Sequence, residues 1–151
     1  MPSNYRGSPV EIEALSAFIN LMRAGDSVAT ALQRDFDENK LTTSQFGVLE
    51  ALFHLGPLFQ GELAHKLLRC TGSITSVVDG LEKKGMVERR RESHDKRYVR
   101  VSLTPKGKKA IEQVFPKHAR SVVQLFASLT REEQGELRRL CAKLGKSAVK
   151  V

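Results

Sequence analysis

Six cations fall within one short stretch: Arg89, Arg90, Arg91, Lys96, Arg97 and Arg100, with Asp95 set among them. Guanidinium groups are permanent charges whose forked donors match phosphate oxygens two at a time, so such a run is chemistry for a polyanion. Upstream stand short polar side chains, Thr71, Ser73, Thr75 and Ser76, and then Lys83. On a helix, hydroxyls at this spacing can meet the edges of bases. Cys70 is a candidate of another kind. It lies beside Arg69 and near His65, and cations and a helix N-terminus favour the reactive thiolate. The second cysteine, Cys141, falls on an apolar helical face and reads as core.

Other chemistry has little footing. His54, His65, His94 and His118 are dispersed without repeated ligand spacing, so neither a metal nor another cofactor is expected. The sequence contains no glycine-rich phosphate loop, no metal-binding pair at helical spacing and no nucleophile elbow. An enzyme is therefore not expected.

The charge balance points the same way as the arginines. The formal net charge is +8 over 151 residues. Between Gln60 and Lys109 there are 13 Lys or Arg against 6 Asp or Glu, while the rest of the chain carries 12 against 11. The excess is thus concentrated in the middle third, as one surface facing a polyanion would require. No apolar run approaches the roughly 20 residues of a membrane span. The N-terminal residues lack the apolar centre of a secretory signal. Two distant cysteines form no disulfide pattern. A cytoplasmic protein with no membrane partner is expected.

These side chains need elements to hold them. Apolar residues recur at helical spacing from Pro9 to about Phe36, and again after Leu41-Thr42-Thr43 until Gly56-Pro57. Two short helices follow, about Gln60 to Leu68 and Ser73 to Lys84, joined by only Arg69 to Gly72. After Gly85 the period changes to two: Val87 begins one strand, and Val99, Val101 and Leu103 mark another, with a polar turn between. Thr104-Pro105 then caps a long helix that Pro116 should kink or divide. Thr130 and Glu133 form a capping box for a last helix. The fold class is mainly α with a small two- or three-stranded β-wing, a winged helix-turn-helix. Its second short helix would offer Thr71, Ser73, Thr75, Ser76 and Lys83 to the major groove. The hairpin would offer Arg89, Arg90, Arg91, Asp95, Lys96, Arg97 and Arg100 to the flanking backbone or minor groove.

The resemblance to a known family rests on named residues. The run Leu81-Glu82-Lys83-Lys84-Gly85-Met86-Val87 resembles the end of a MarR-family recognition helix and the start of its wing. Asp95-Lys96-Arg97, then Val99, Val101, Ser102, Leu103, Thr104, Pro105, Lys106 and Gly107, resemble that family's wing tip and return strand. Leu41, Thr42, Gln45, Phe46, Val48 and Leu49 resemble its second helix, and Leu63-Ala64 its first DNA-binding helix. Two positions depart from the pattern: Ser76 and Gly80 stand where relatives often carry basic residues. Base readout would then lean on hydroxyls, water and DNA shape.

The resemblance implies a transcription regulator, a repressor that binds double-stranded DNA at a near-palindromic operator as a homodimer. It implies an N-terminal dimerisation helix over 1–40, a DNA-binding lobe over 41–104 and C-terminal dimerisation helices over 105–151, within one structural domain. By resemblance Arg97 enters the minor groove and Asp95 orients it. Family members are released from DNA by a small, often aromatic or phenolic, effector or by thiol oxidation. The sequence leaves that choice open. Phe18, Met22, Phe46, Phe53 and His54 are candidates to line an effector pocket, and plain core packing accounts for the same residues. Cys70 is the candidate for redox control. A winged helix that binds a protein partner is the remaining alternative, and the arginine-rich wing argues against it.

Overall fold

The computed structural model describes residues 5–67, 73–95 and 98–148. Helix α1 spans Pro9–Asp37. Ser8 starts it with a reciprocal capping box: its amide donates to the Glu11 carboxylate at 2.7 Å, and the Glu11 amide donates to its hydroxyl. Helix α2, Thr43–Leu55, begins with a second such box between Thr42 and Gln45. It stops at Gly56, whose φ of 77° suits glycine. Strand β1 is only Leu58–Phe59. It runs into α3, Gln60–Lys66, and α4 follows at Ile74–Lys83. The helical connection expected from Arg69 to Gly72 lies outside the described residues.

Strands β2, Val87–Arg91, and β3, Val99–Leu103, pair antiparallel, with β1 added on the far edge of β3. The register places Val87 opposite Leu103, Arg89 opposite Val101 and Arg90 opposite Arg100. Helix α5 spans Pro105–Phe126 and α6 spans Arg131–Ala148. Thr104 caps α5 by accepting from the Gly107 amide, and Thr130 with Glu133 caps α6, both as the sequence predicts. Pro116 does not divide α5, which continues as one helix through it. Proline removes one donor there, while Ile111 and Val114 are wholly buried against the rest of the core and hold the rod together.

That core is built around α2. Val48, Leu49 and Leu52 meet Leu63 of α3, Val78 and Leu81 of α4, Val87 and Val101 of the sheet, and Ile111 and Val114 of α5. Burial of each such side chain contributes about 1.5–3 kcal/mol. The small lobe is therefore complete. The outer helices are not. Of the 29 residues of α1 only Asp35 and Phe36 are buried, and α6 buries none.

Candidate nucleic-acid interface

The start of α4 is fixed by its own chemistry. Ser73 is the N-cap, its hydroxyl accepting from the Ser76 amide at 3.2 Å. The hydroxyl of Thr75 accepts from Gln60 Nε2 of α3 at 2.9 Å, which ties the two helices across their outer edge. Ser73, Thr75 and Ser76 are all exposed on the side opposite Val77, Val78 and Leu81. Lys83 is exposed as well. Lys84 turns back, donating to Gln45 Oε1 at 2.9 Å and to the Lys40 carbonyl. Gly80 faces the same glutamine, and a Cβ there would come within 2.8 Å of Gln45 Nε2. A larger residue at position 80 would have to displace that amide, the end of a flexible side chain. Thr71 lies outside the described residues.

The helix ends in a double turn. The Gly85 amide donates to Glu82 O and the Met86 amide to Leu81 O, with Gly85 at φ 70°. From there β2 leaves for the wing, and the alternation of the strand sorts the three arginines. Arg89 shares a face with buried Val87 and points at α4, where its guanidinium pairs with Asp79 and lies 3.0 Å from Glu82. Its side chain is only 24% exposed. Arg90 points the other way, is 78% exposed and reaches Glu88 at 3.3 Å. Arg91 is exposed at the strand end.

On the outer face Arg90 sits directly across from Arg100. Like charges opposed across a strand pair repel, and the pair is eased when an anion lies over both. Arg100 is held in place by Glu92 at 3.1 Å and by the Phe59 ring, 4.7 Å beneath its guanidinium carbon. Tyr98 stands edge-on to Phe59 at 5.7 Å. Asp95 accepts the Tyr98 amide at the tip of the hairpin. Lys96 and Arg97 lie outside the described residues.

The wing's return is anchored at the foot of α5. Thr104 donates from its hydroxyl to Gly85 O at 2.6 Å and from its amide to Met86 O at 3.1 Å. Gly107 lies so close that a Cβ would be 1.9 Å from the same Met86 oxygen. The hairpin and the end of α4 are thus tied together at three places: at the α5 junction, through Arg89, and through the buried valines. Sequence reasoning missed Asp79 and Glu82 as partners of Arg89. Their spacing of three on one helical face, beside a strand whose alternation turns Arg89 inward, was the available signal.

The proposed effector residues separate into two groups. Phe46 is stacked on Phe36 at 4.3 Å and lies 4.8 Å from the His118 ring. Phe53 meets His54 at 5.1 Å, and His54 meets Phe115 at 4.9 Å. These rings form a chain from α2 across α5. Phe18 and Met22 lie elsewhere, 59% and 43% exposed on α1. His54 also lines an open hollow of about 380 Å³ with Gly47, Glu50, Ala51, Leu55, Lys66 and Leu67. Cys70 is outside the described residues. Cys141 is not core: it is exposed, because none of the described residues covers the apolar side of α6. Among the described residues no cluster of three His, Cys, Asp or Glu could hold a metal ion, and no helix is long and apolar enough to cross a membrane.

An exposed polar helix beside an outward-facing arginine pair can read a groove and grip the phosphates flanking it. Known proteins are similar to this chain in sequence and fold. Residues 41–99 match the model of the MarR family. The HTH-type transcriptional regulator YkoM of Bacillus subtilis is 34% identical over 136 residues, covering 89% of this chain and 88% of that protein. A crystal structure of a probable transcriptional regulator from Pseudomonas aeruginosa is 31% identical with a TM-score of 0.73, covering 85% of this chain and 95% of that one. The organohalide-sensing regulator RdhR, crystallised with 2,4-dichlorophenol bound, is 26% identical with a TM-score of 0.78, covering 97% of this chain and 89% of its own.

Proposed function

This chain belongs to the MarR family of DNA-binding transcription regulators, and on that premise we propose that it works as a homodimeric repressor released from a near-palindromic operator by a small aromatic or phenolic effector. The observation that carries the dimer is the uncovered apolar surface of its outer helices. Val10, Ile12, Leu15, Phe18, Leu21 and Met22 are exposed along α1, and Leu137, Leu140 and Leu144 along α6. A monomer rarely leaves so much apolar surface to water. A two-fold partner covering it would set two copies of α4 about one turn of DNA apart, hence the palindrome.

In this reading Ser73, Thr75 and Ser76 meet base edges, and Lys83, Arg90, Arg91 and Arg100 meet phosphates. Arg97, oriented by Asp95, enters the minor groove by its likeness to the family's wing tip, with Lys96 beside it. The effector would bind where the ring chain of Phe46, Phe53 and His54 approaches the outer helices. The dichlorophenol bound to RdhR supports a ligand of that class. An aromatic ligand wedged there would change the angle between the lobe and α1, and with it the spacing of the two recognition helices.

The test is binding to a duplex carrying the region upstream of the protein's own gene, at several salt concentrations and with sedimentation run in parallel. Tight binding of two chains per duplex, loss of affinity with rising salt, and release by chlorophenols are expected. A chain that sediments as a monomer and ignores every duplex in dilute buffer would overturn the reading.

A further inference from the structure

The first of the three wing arginines is in the wrong place to be a phosphate ligand. Arg89 lies on the inner face of β2, in register with buried Val101, at a position where a strand packed on a helix would ordinarily carry an apolar residue. A cation largely removed from water is costly unless it is paired. Here it is paired twice. Its terminal nitrogen holds the Asp79 carboxylate, and its Nε lies 3.0 Å from Glu82 Oε2. Both acids belong to α4, three residues apart, and each remains 48% exposed.

Those carboxylates would be a liability at a DNA surface. They stand on the recognition helix, close to the path of the phosphates, and unpaired they would repel them. Arg89 addresses charge and geometry together. It neutralises one of the two nearest negative charges of α4 and lies beside the other, and its hydrogen bond to Asp79 ties β2 to the helix and so bears on the angle at which the strand leaves it. Arg90 and Arg100 are carried on the same two-stranded unit, so that angle sets where the outward pair meets the backbone.

We propose that Arg89 is a positioning residue for DNA binding, a brace between wing and recognition helix that acts through Asp79 and Glu82 and does not touch the nucleic acid. The proposal rests on the wing and α4 being the DNA-contacting elements.

The experiment is a mutant cycle on the full chain with R89Q, the pair D79N/E82Q, and all three together. Each is titrated with a fluorescent duplex from its own upstream region and with an unrelated duplex at low salt. R89Q should weaken binding about tenfold or more in the wild-type background, and threefold or less when both acids are already neutral. Its dependence on salt should match that of wild type. Equal losses in both backgrounds, with a salt slope smaller by about one, would instead make Arg89 a phosphate ligand and overturn the brace. Hydrogen exchange without DNA supplies a second readout. R89Q and D79N/E82Q should both speed exchange of the β2 amides, whereas a surface ligand would leave them unchanged. If R89Q fails to fold, R89K replaces it, keeping the charge without the fork, and should show the same coupling at lower amplitude. Should the wild-type chain bind neither duplex, the DNA reading has failed, and amide exchange alone still decides the brace.

Discussion

Adding one methyl group at Gly107 tests how tightly the wing is seated on α5. An ideal Cβ at this position would lie 1.9 Å from the Met86 carbonyl oxygen and 2.8 Å from its carbonyl carbon. Neither atom is the end of a flexible side chain. The oxygen also accepts the Thr104 amide, and the Thr104 hydroxyl both caps α5 and bonds Gly85. Separation to an ordinary contact therefore means moving backbone by about 1 Å and loosening the whole junction. Overpacking of this kind costs about 3 kcal/mol. Alanine's better helix propensity returns up to about 1 kcal/mol. The net loss is roughly 2 kcal/mol, which in a domain of this size lowers the melting temperature by about 4–8 °C. Circular dichroism melts at one fixed protein concentration measure it, since association would otherwise shift the midpoint. Gly61→Ala is the matched control: it also lies in a helix, and nothing stands within 4 Å of its Cβ. It should be neutral, or stabilising by up to about 1 kcal/mol. A Gly107→Ala protein that melts at or above wild type would refute the close approach and the anchoring role drawn from it.

Other consequences can be checked with equally simple measurements. If the proposed dimer forms through α6, Leu140→Asp with Leu144→Asp should give a monomer in sedimentation while leaving the helical content of the lobe unchanged, because neither leucine contributes to the core. Arg90→Ala should lower the salt dependence of DNA binding by about one counterion and weaken all sequences alike, as expected for a phosphate contact. Ser76→Ala should instead change which operator variants are preferred, with little effect on the salt slope. The Glu11 carboxyl is held below its ordinary value by the Ser8 amide first and the Ser8 hydroxyl second. A depressed carboxylate stabilises the fold above its unfolded-state value and ceases to do so as the pH falls through its lowered folded value. The protection factors of the Ser8 and Glu11 amides, with exchange normalised for its intrinsic pH dependence, should therefore fall as the medium is acidified below the ordinary carboxylate range, and Glu11→Gln should remove that dependence.

How much of this was legible in the sequence depended on the range of the interaction concerned. Leu41-Thr42-Thr43, Thr104 with Pro105 and Thr130 with Glu133 announce helix starts because a cap needs only four consecutive residues. The wing was legible because period-two alternation switches on at Val87. Strand β1 was not, since two residues cannot show a period, and its pairing with β3 is decided by a partner 43 positions away in the register of Leu58 with Val101. Whether Pro116 would divide α5 was not legible, because the loss of one donor is local whereas the packing that carries the helix through it is contributed by other elements. Cys141 misled. An apolar helical face implies burial, and sequence periodicity cannot say whether the cover comes from the same chain.

The site divides along the same line. The wing arginines Arg89, Arg90, Arg91 and Arg100 were named on charge, and charge does not distinguish a cation that faces water from one that faces a helix. Arg89 and Arg90 are neighbours of identical chemistry, yet one is 24% exposed and the other 78%. The difference follows from strand alternation acting together with the two acids that α4 presents on one face. A basic patch thus holds cations of two orientations, outward and inward, and what separates them is which side of the sheet the chain has already used for its core.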